Sequence, residues 1–169
     1  MIKGGIGGAR TNATGLPFER NTSLADALVA AGFEVKVFDV SQDGRQLGEL
    51  VGKERLYKFL EAKDINWKER ISSMLKPDEG LYSIRSRQLT IIEKKYQEVS
   101  GSTDEKLQTS GFKLRQYRRL VDGLDIEVKY IYLLNDWFTQ AKYADVLDYI
   151  RESGADYHFN SVPLELLEL

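Results

Sequence analysis

The sequence contains no cysteine, and that absence excludes disulfides, thiolate metal sites and a cysteine nucleophile together. Histidine is almost as scarce. His158, in the run Tyr157-His158-Phe159-Asn160, is the single one, so one chain cannot build a multi-histidine metal centre, and His158 is expected to be a packed or surface residue. Any metal must then rest mainly on oxygen ligands, which favours Mg²⁺, Mn²⁺ or Ca²⁺ over zinc. Long apolar runs are also missing. None approaches the roughly 20 residues a membrane span needs, and the stretch from Met1 to Arg10 lacks the apolar segment of a signal peptide. A cytoplasmic location and no membrane partner are therefore expected. Linkers, internal repeats and low-complexity tracts are absent as well, so the 169 residues read as a single domain, long enough to bury a full core.

A strong charge of either sign is lacking too. The formal net charge is −2, which does not advertise a nucleic-acid binder, but local clustering is more informative than the total. Lys113, Arg115, Arg118 and Arg119 crowd one stretch, and Arg85 and Arg87 flank Ser86. This distribution permits a basic face without demanding one.

What is present begins with a glycine-rich arm over residues 1–16, including Gly4, Gly5, Gly7, Gly8 and Gly15, a composition that excludes a helix or a central strand there. Apolar residues at Leu24, Ala27 and Leu28 predict a helix that Gly32 ends. Phe33 to Val40 alternates apolar and polar residues and predicts one strand, and Gly44 and Gly48 mark a turn region. Lys53 to Leu75 reads as helical with a break around Asp64 to Asn66. Gly80 to Ile84 and Leu89 to Gln97 read as strands. Ser102-Thr103-Asp104-Glu105 has the form of a capping box opening a helix to about Leu120, followed by a turn at Asp122-Gly123. Asp125 to Leu134 is strongly strand-like, Tyr143 to Ser153 is a helix stopped by Gly154, and Asp156 to Asn160 is a last short strand. Helix, strands, helix, strand, helix, strand is an α/β order.

The segment that carries chemistry is Pro77-Asp78, then residues 79 to 92, then Glu93-Lys94-Lys95 inside a strand. Strand alternation puts Glu93, Lys95 and Gln97 on one face and Ile92, Lys94 and Tyr96 on the other. An acid and a lysine two apart, beside the apolar run Thr90-Ile91-Ile92, are costly to place unless they have a partner. Phosphodiester cleavage supplies one. It needs a metal to stabilise charge on the phosphate and a deprotonated water. Two carboxylates can hold Mg²⁺, which usually keeps several waters, and a nearby lysine can orient the attacking water or stabilise developing charge. Asp78, Glu93 and Lys95 match those roles. Two other acid-x-lysine pairs occur, Glu127-Val128-Lys129 and Glu34-Val35-Lys36. The first leads into the apolar run Tyr130 to Leu134 and suits a central strand, and the second precedes Asp78, so the pair at 93 and 95 is preferred.

Pro77-Asp78, a hairpin-length spacer and Glu93-Lys94-Lys95 together resemble the PD-(D/E)XK nucleases, which include most type II restriction enzymes. The resemblance implies a central mixed β-sheet flanked by helices, built as helix, three-stranded meander, helix and further strand. It implies that Asp78 and Glu93 ligate Mg²⁺ with help from the Lys94 carbonyl, and that Lys95 handles the nucleophilic water. Glu19, on the first helix, would support a ligand or a second metal, and Gln97 would line the same groove. The implied activity is sequence-specific hydrolysis of double-stranded DNA. A palindromic site and two strands to cut also imply a homodimer.

DNA contacts are expected from two further places. The helix start at Ser102 offers free N–H groups, a hydroxyl and the positive end of a dipole to a phosphate, with Lys106, Lys113 and Arg115 following the backbone. The glycine-rich arm lets backbone approach phosphate, and its Arg10 and Asn12 can read bases. It is not a nucleotide-binding P-loop, because no Gly-Lys-Ser/Thr follows and no strand precedes it. The alternatives are a homing, repair or junction-resolving nuclease with the same core, and a non-catalytic DNA-binding module, against which the intact Asp78, Glu93 and Lys95 set argues.

Overall fold

The structure is a computed structural model that describes residues 15–169. The expected roles of Arg10 and Asn12 lie outside the described residues. Helix α1 is described over residues 15–21, so Gly15 and Leu16, expected in the irregular arm, are helical. Helix α2 (Leu24–Ala30) follows at once, its first turn capped by Ser23, whose Oγ accepts the Asp26 N–H at 3.3 Å. Gly32, at φ 93°, turns the chain out of α2 as its sequence position predicts.

The predicted strand from Phe33 to Val40 is instead a hairpin, β1 (Glu34–Lys36) and β2 (Asp39–Gln42), paired antiparallel with Lys36 opposite Asp39. Val37 and Phe38 are adjacent apolar residues, so the alternation changes phase there. Val37 takes φ 58° and is 85% exposed at the turn. A tight turn at Asp43 and Gly44, both at positive φ, leads into β3 (Arg45–Leu50). Gly48, expected in the turn, lies inside β3, where it is needed for packing rather than bending. A Cβ there would sit 2.6 Å from the Tyr82 carbonyl oxygen on the neighbouring strand.

Helix α3 (Arg55–Glu61) is shorter than the predicted helical stretch. Asp64, at φ 59°, breaks it, and beyond lies only a 3₁₀ turn over Trp67–Glu69. The meander resumes with β4 (Glu79–Ser83) and β5 (Gln88–Lys95). The predicted single helix to Leu120 is two, α4 (Thr103–Leu107) and α5 (Ser110–Leu120). The remaining elements are β6 (Glu127–Leu134), α6 (Ala144–Glu152) and β7 (Asp156–Phe159).

The seven strands form one sheet in sequence order, antiparallel from β1 to β5 and parallel from β5 through β7. The crossover from β5 to β6 runs through α4 and α5, as parallel neighbours require. Helices flank the mixed sheet, and the fold is α/β. Side-chain alternation sorts two apolar clusters onto its faces. Leu89 and Ile91 of β5 join Tyr130, Tyr132 and Leu134 of β6 against Leu56, Leu114, Tyr117 and Ile150 of the helices. Ile92 and Leu133 face the other way, against Phe18, Leu24, Leu28 and Leu167. Among the described residues no helix is long and apolar enough to cross a membrane.

Candidate functional site

Register brings the two halves of the Asp78 and Glu93-x-Lys95 pattern together. Glu79 of β4 is opposite Ile92 of β5, so Asp78, just before β4, falls beside Glu93 and Lys94. Asp78 Oδ2 accepts the backbone N–H of Lys94 at 2.7 Å. That bond closes the strand pair one step beyond the ladder and aims the carboxylate across the end of β5.

Glu93 is buried, 8% exposed, at a strand end lined by ammonium groups. Lys95 Nζ donates to Glu93 Oε1 at 2.9 Å and to the Lys94 carbonyl at 3.1 Å. Lys113 Nζ, from α5, donates to the same Glu93 Oε1 at 2.8 Å. Burial alone would raise the Glu93 carboxyl, but the two ammoniums outweigh it and hold the group below its usual range. Asp78 goes the other way. Burial, and then the Glu93 charge, push its carboxyl up, only partly offset by the Lys94 N–H and Lys95. Two neighbouring carboxylates with opposite shifts are a common mark of a site that binds or reacts.

The free acceptor positions are specific. Among the described residues, Asp78 Oδ1 and Glu93 Oε2 receive no hydrogen bond, whereas Asp78 Oδ2 and Glu93 Oε1 are taken. Each carboxylate is therefore fixed by one oxygen and open at the other. Glu19, on α1, lies close enough for its charge to add to the upward push on Asp78. It does not complete a third corner. No three His, Asp or Glu side chains among the described residues are grouped to hold a metal ion.

On the opposite face of the sheet, Lys94 forms a second node that pattern reading missed. Its side chain is 5% exposed, and its Nζ lies 3.1 Å from Glu79 Oε2 and 3.1 Å from the Glu19 carbonyl oxygen. Glu79 in turn accepts the Leu24 N–H with both oxygens, at 3.0 and 3.1 Å. Burial raises the Glu79 carboxyl, and the Leu24 N–H and Lys94 counter that in part. The node ties β4 and β5 to the end of α1 and the start of α2. The doublets Asp78-Glu79 and Lys94-Lys95 carried the signal. In paired strands, adjacent residues split between faces, so Asp78 and Lys95 fall on one side and Glu79 and Lys94 on the other.

The competing acid-x-lysine pairs sit elsewhere. Lys36 and Glu34 make an exposed ion pair on the edge strand. Lys129 bonds Glu168 near the C-terminus at 2.8 Å, while Glu127 is exposed.

The expected DNA contacts divide. Gln97 is not in a groove. It is 3% exposed, its backbone N–H meets Asn135 Oδ1 and its Nε2 meets Asp104 Oδ1, both at 3.2 Å. The alternation that assigned it to the Glu93 face stops where β5 ends at Lys95. Ser102 is exposed, but the capping box does not form. Its backbone is already helical, its side chain makes no cap bond, and α4 has only five residues. Lys106 and Arg115 are exposed, Arg115 lying over the Phe112 ring at 5.6 Å. Lys113 points instead to Glu93. Compared with protein families, curated proteins and solved structures, the chain matches none of them.

Proposed function

We propose that this chain is a Mg²⁺-dependent endonuclease for double-stranded DNA, with the PD-(D/E)XK core and the duty of a type II restriction enzyme. The observation that carries the proposal is the convergence of Asp78 from the start of β4 with Glu93 and Lys95 from the end of β5. The open oxygens, Asp78 Oδ1 and Glu93 Oε2, are hard anionic donors at the start of β4 and the end of β5, and by the family resemblance the Lys94 carbonyl would join them. That donor set fits a small hard cation that keeps much of its water. Bound there, Mg²⁺ supplies charge for the phosphate oxygens and lowers the pKa of a coordinated water.

The chain's own residues do the rest. Asp78 and Glu93 are held by the Lys94 N–H and by two ammoniums, so their open oxygens stay fixed while substrate arrives. Lys95 spends two of its three N–H groups on Glu93 Oε1 and the Lys94 carbonyl. The third is free to orient an attacking water, and its charge offsets the negative charge that builds up in the transition state. Lys106 and Arg115 provide exposed positive charge on the crossover helices for the DNA backbone. Cutting both strands of a symmetric site favours a two-fold dimer.

Purified protein with Mg²⁺ and phage DNA should give discrete fragments, and Lys95→Ala should remove cutting by about a thousandfold while the far-UV circular dichroism spectrum stays unchanged. Intact DNA would sink the nuclease reading. A smear would leave hydrolysis and remove sequence specificity. Normal cutting by Lys95→Ala would show that the motif was assigned wrongly.

A further inference from the structure

Among the described residues, Lys113 is the one cation at Glu93 that does not belong to the strand motif. It reaches the carboxylate from α5, on the far side of the β5 to β6 crossover, and shares Glu93 Oε1 with Lys95 at nearly the same distance, 2.8 against 2.9 Å. A buried carboxylate needs one counter-charge. This one has two on a single oxygen, so the ammoniums repel each other, and the second offsets the neighbouring Asp78 charge rather than that of Glu93. Lys95 is the more enclosed, with 14% of its side chain exposed against 26% for Lys113, and among the described residues only Lys95 has a second acceptor, the Lys94 carbonyl. Lys113 is therefore the more readily released. The site without metal balances as Asp78 and Glu93 against Lys95 and Lys113. A divalent cation at Asp78 Oδ1 and Glu93 Oε2 adds two positive charges beside Lys113, and DNA brings a negative phosphate to the same place.

We infer that Lys113 is a stand-in cation: it holds Glu93 until metal and DNA arrive, then leaves the carboxylate and donates to the scissile phosphate. This rests on the nuclease reading and adds a catalytic residue to it. It also predicts that Lys113 opposes metal binding in the absence of DNA and assists cleavage in its presence. A residue that merely supported the fold would not do both.

The test uses the full chain and three variants, Lys113→Met, Lys113→Gln and Lys113→Arg. Mn²⁺ affinity without DNA is measured by titration calorimetry, and folding by thermal melts. Removing one nearby ammonium should tighten Mn²⁺ binding about tenfold in the methionine and glutamine variants, since the site is partly screened by water. The same variants should cut DNA about a hundredfold more slowly at saturating Mg²⁺, as loss of one preorganised donor does. Lys113→Arg, which keeps the charge, should return metal affinity toward the wild-type value. Unchanged or weaker Mn²⁺ binding in folded Lys113→Met, with a wild type that cuts, overturns the stand-in role and leaves the nuclease reading intact. A wild type that neither takes up Mn²⁺ nor cuts overturns both.

Discussion

Lys94 and Glu79 offer the sharpest test of how β4 and β5, which carry the candidate site, are held together. Lys94→Met keeps the length of the side chain and deletes the ammonium. It leaves Glu79, whose side chain is 22% exposed, with the Leu24 N–H as its remaining donor among the described residues. Breaking a buried pair from one side costs about 3–5 kcal/mol. Glu79 retains a backbone donor and some water, which sets Lys94→Met near the low end, about 3 kcal/mol. Glu79→Leu is worse. It strands an ammonium that is almost wholly buried, with the Glu19 carbonyl as its acceptor, and it orphans the Leu24 N–H, for a loss of about 4–5 kcal/mol. The double variant carries neither charge and leaves two neutral backbone groups short of a partner, about 2 kcal/mol.

Urea unfolding followed by circular dichroism measures all three, and the double variant should be more stable than the sum of the singles by at least about 2 kcal/mol. In a chain of this size the Lys94→Met loss corresponds to a fall of roughly 6–12 °C in Tm. The pH dependence adds a second check. Burial already raises the Glu79 carboxyl, and a raised carboxyl binds its proton more tightly in the folded state than in the unfolded one. Its contribution to stability is therefore greatest in acid and falls as pH rises through the folded value. Without Lys94 the rise is larger, so the Lys94→Met deficit should be greatest at neutral pH and shrink toward about pH 5. Additive losses, or a deficit independent of pH, would refute a coupled buried pair.

Two further substitutions probe the site and the sheet. Asp78→Asn keeps an oxygen for the Lys94 N–H and removes the charge that burial and Glu93 oppose, so it should stabilise the fold by about 0.5–1 kcal/mol at pH 7 while abolishing cleavage. Because the Asp78 carboxyl is raised, that gain should vanish as the pH drops and the wild-type group protonates, which melts at pH 7 and about pH 4 would show. Gly48→Ala forces a Cβ to 2.6 Å from the Tyr82 carbonyl oxygen where β3 begins to pair with β4, and should cost about 1–3 kcal/mol in urea unfolding. An alanine variant as stable as wild type would mean that β3 and β4 are not this close.

β5 and β6 were legible as runs rich in β-branched, aromatic and leucine residues. β5 and β6 each run eight residues, and β7 is within one residue of its predicted end. Errors fell where a local signal competed with packing. Gly48 reads as a turn residue, yet close approach of a neighbouring backbone demands the same residue. The Lys53 to Leu75 stretch breaks at Asp64 as expected, but a 3₁₀ turn over Trp67–Glu69 follows where helical spacing predicted a helix. Ser102 to Glu105 has capping chemistry, but Ser102 is itself helical, so its hydroxyl makes no cap bond. The candidate site was legible along the strand and illegible across it. Asp78, Glu93 and Lys95 follow from one motif, whereas Lys113 reaches Glu93 from twenty residues downstream, a contact that only the crossover geometry creates. Gln97 failed for the matching reason. Alternation is a property of a strand, and β5 had already ended.

The two faces of β5 explain why Lys95, rather than Lys94, is the lysine to associate with chemistry. Both are ammoniums beside a carboxylate, Glu79 for Lys94 and Glu93 for Lys95, and composition alone does not separate them. Their surroundings do. On the Lys94 side, Glu79 has both oxygens engaged by the Leu24 N–H and one of them by Lys94 as well. Moving any member would strand a buried charge at a cost of about 3–5 kcal/mol, so that node is static and its work is to hold β4, β5, α1 and α2 in place. On the Lys95 side, Asp78 and Glu93 each keep an oxygen without a hydrogen bond among the described residues, and two ammoniums share the other oxygen of Glu93. Exchange of an ammonium for a metal, or of water for phosphate, leaves no buried charge without a partner there. A site must let ligands enter and leave, and only this face of the strand can do so without dismantling the sheet that supports it.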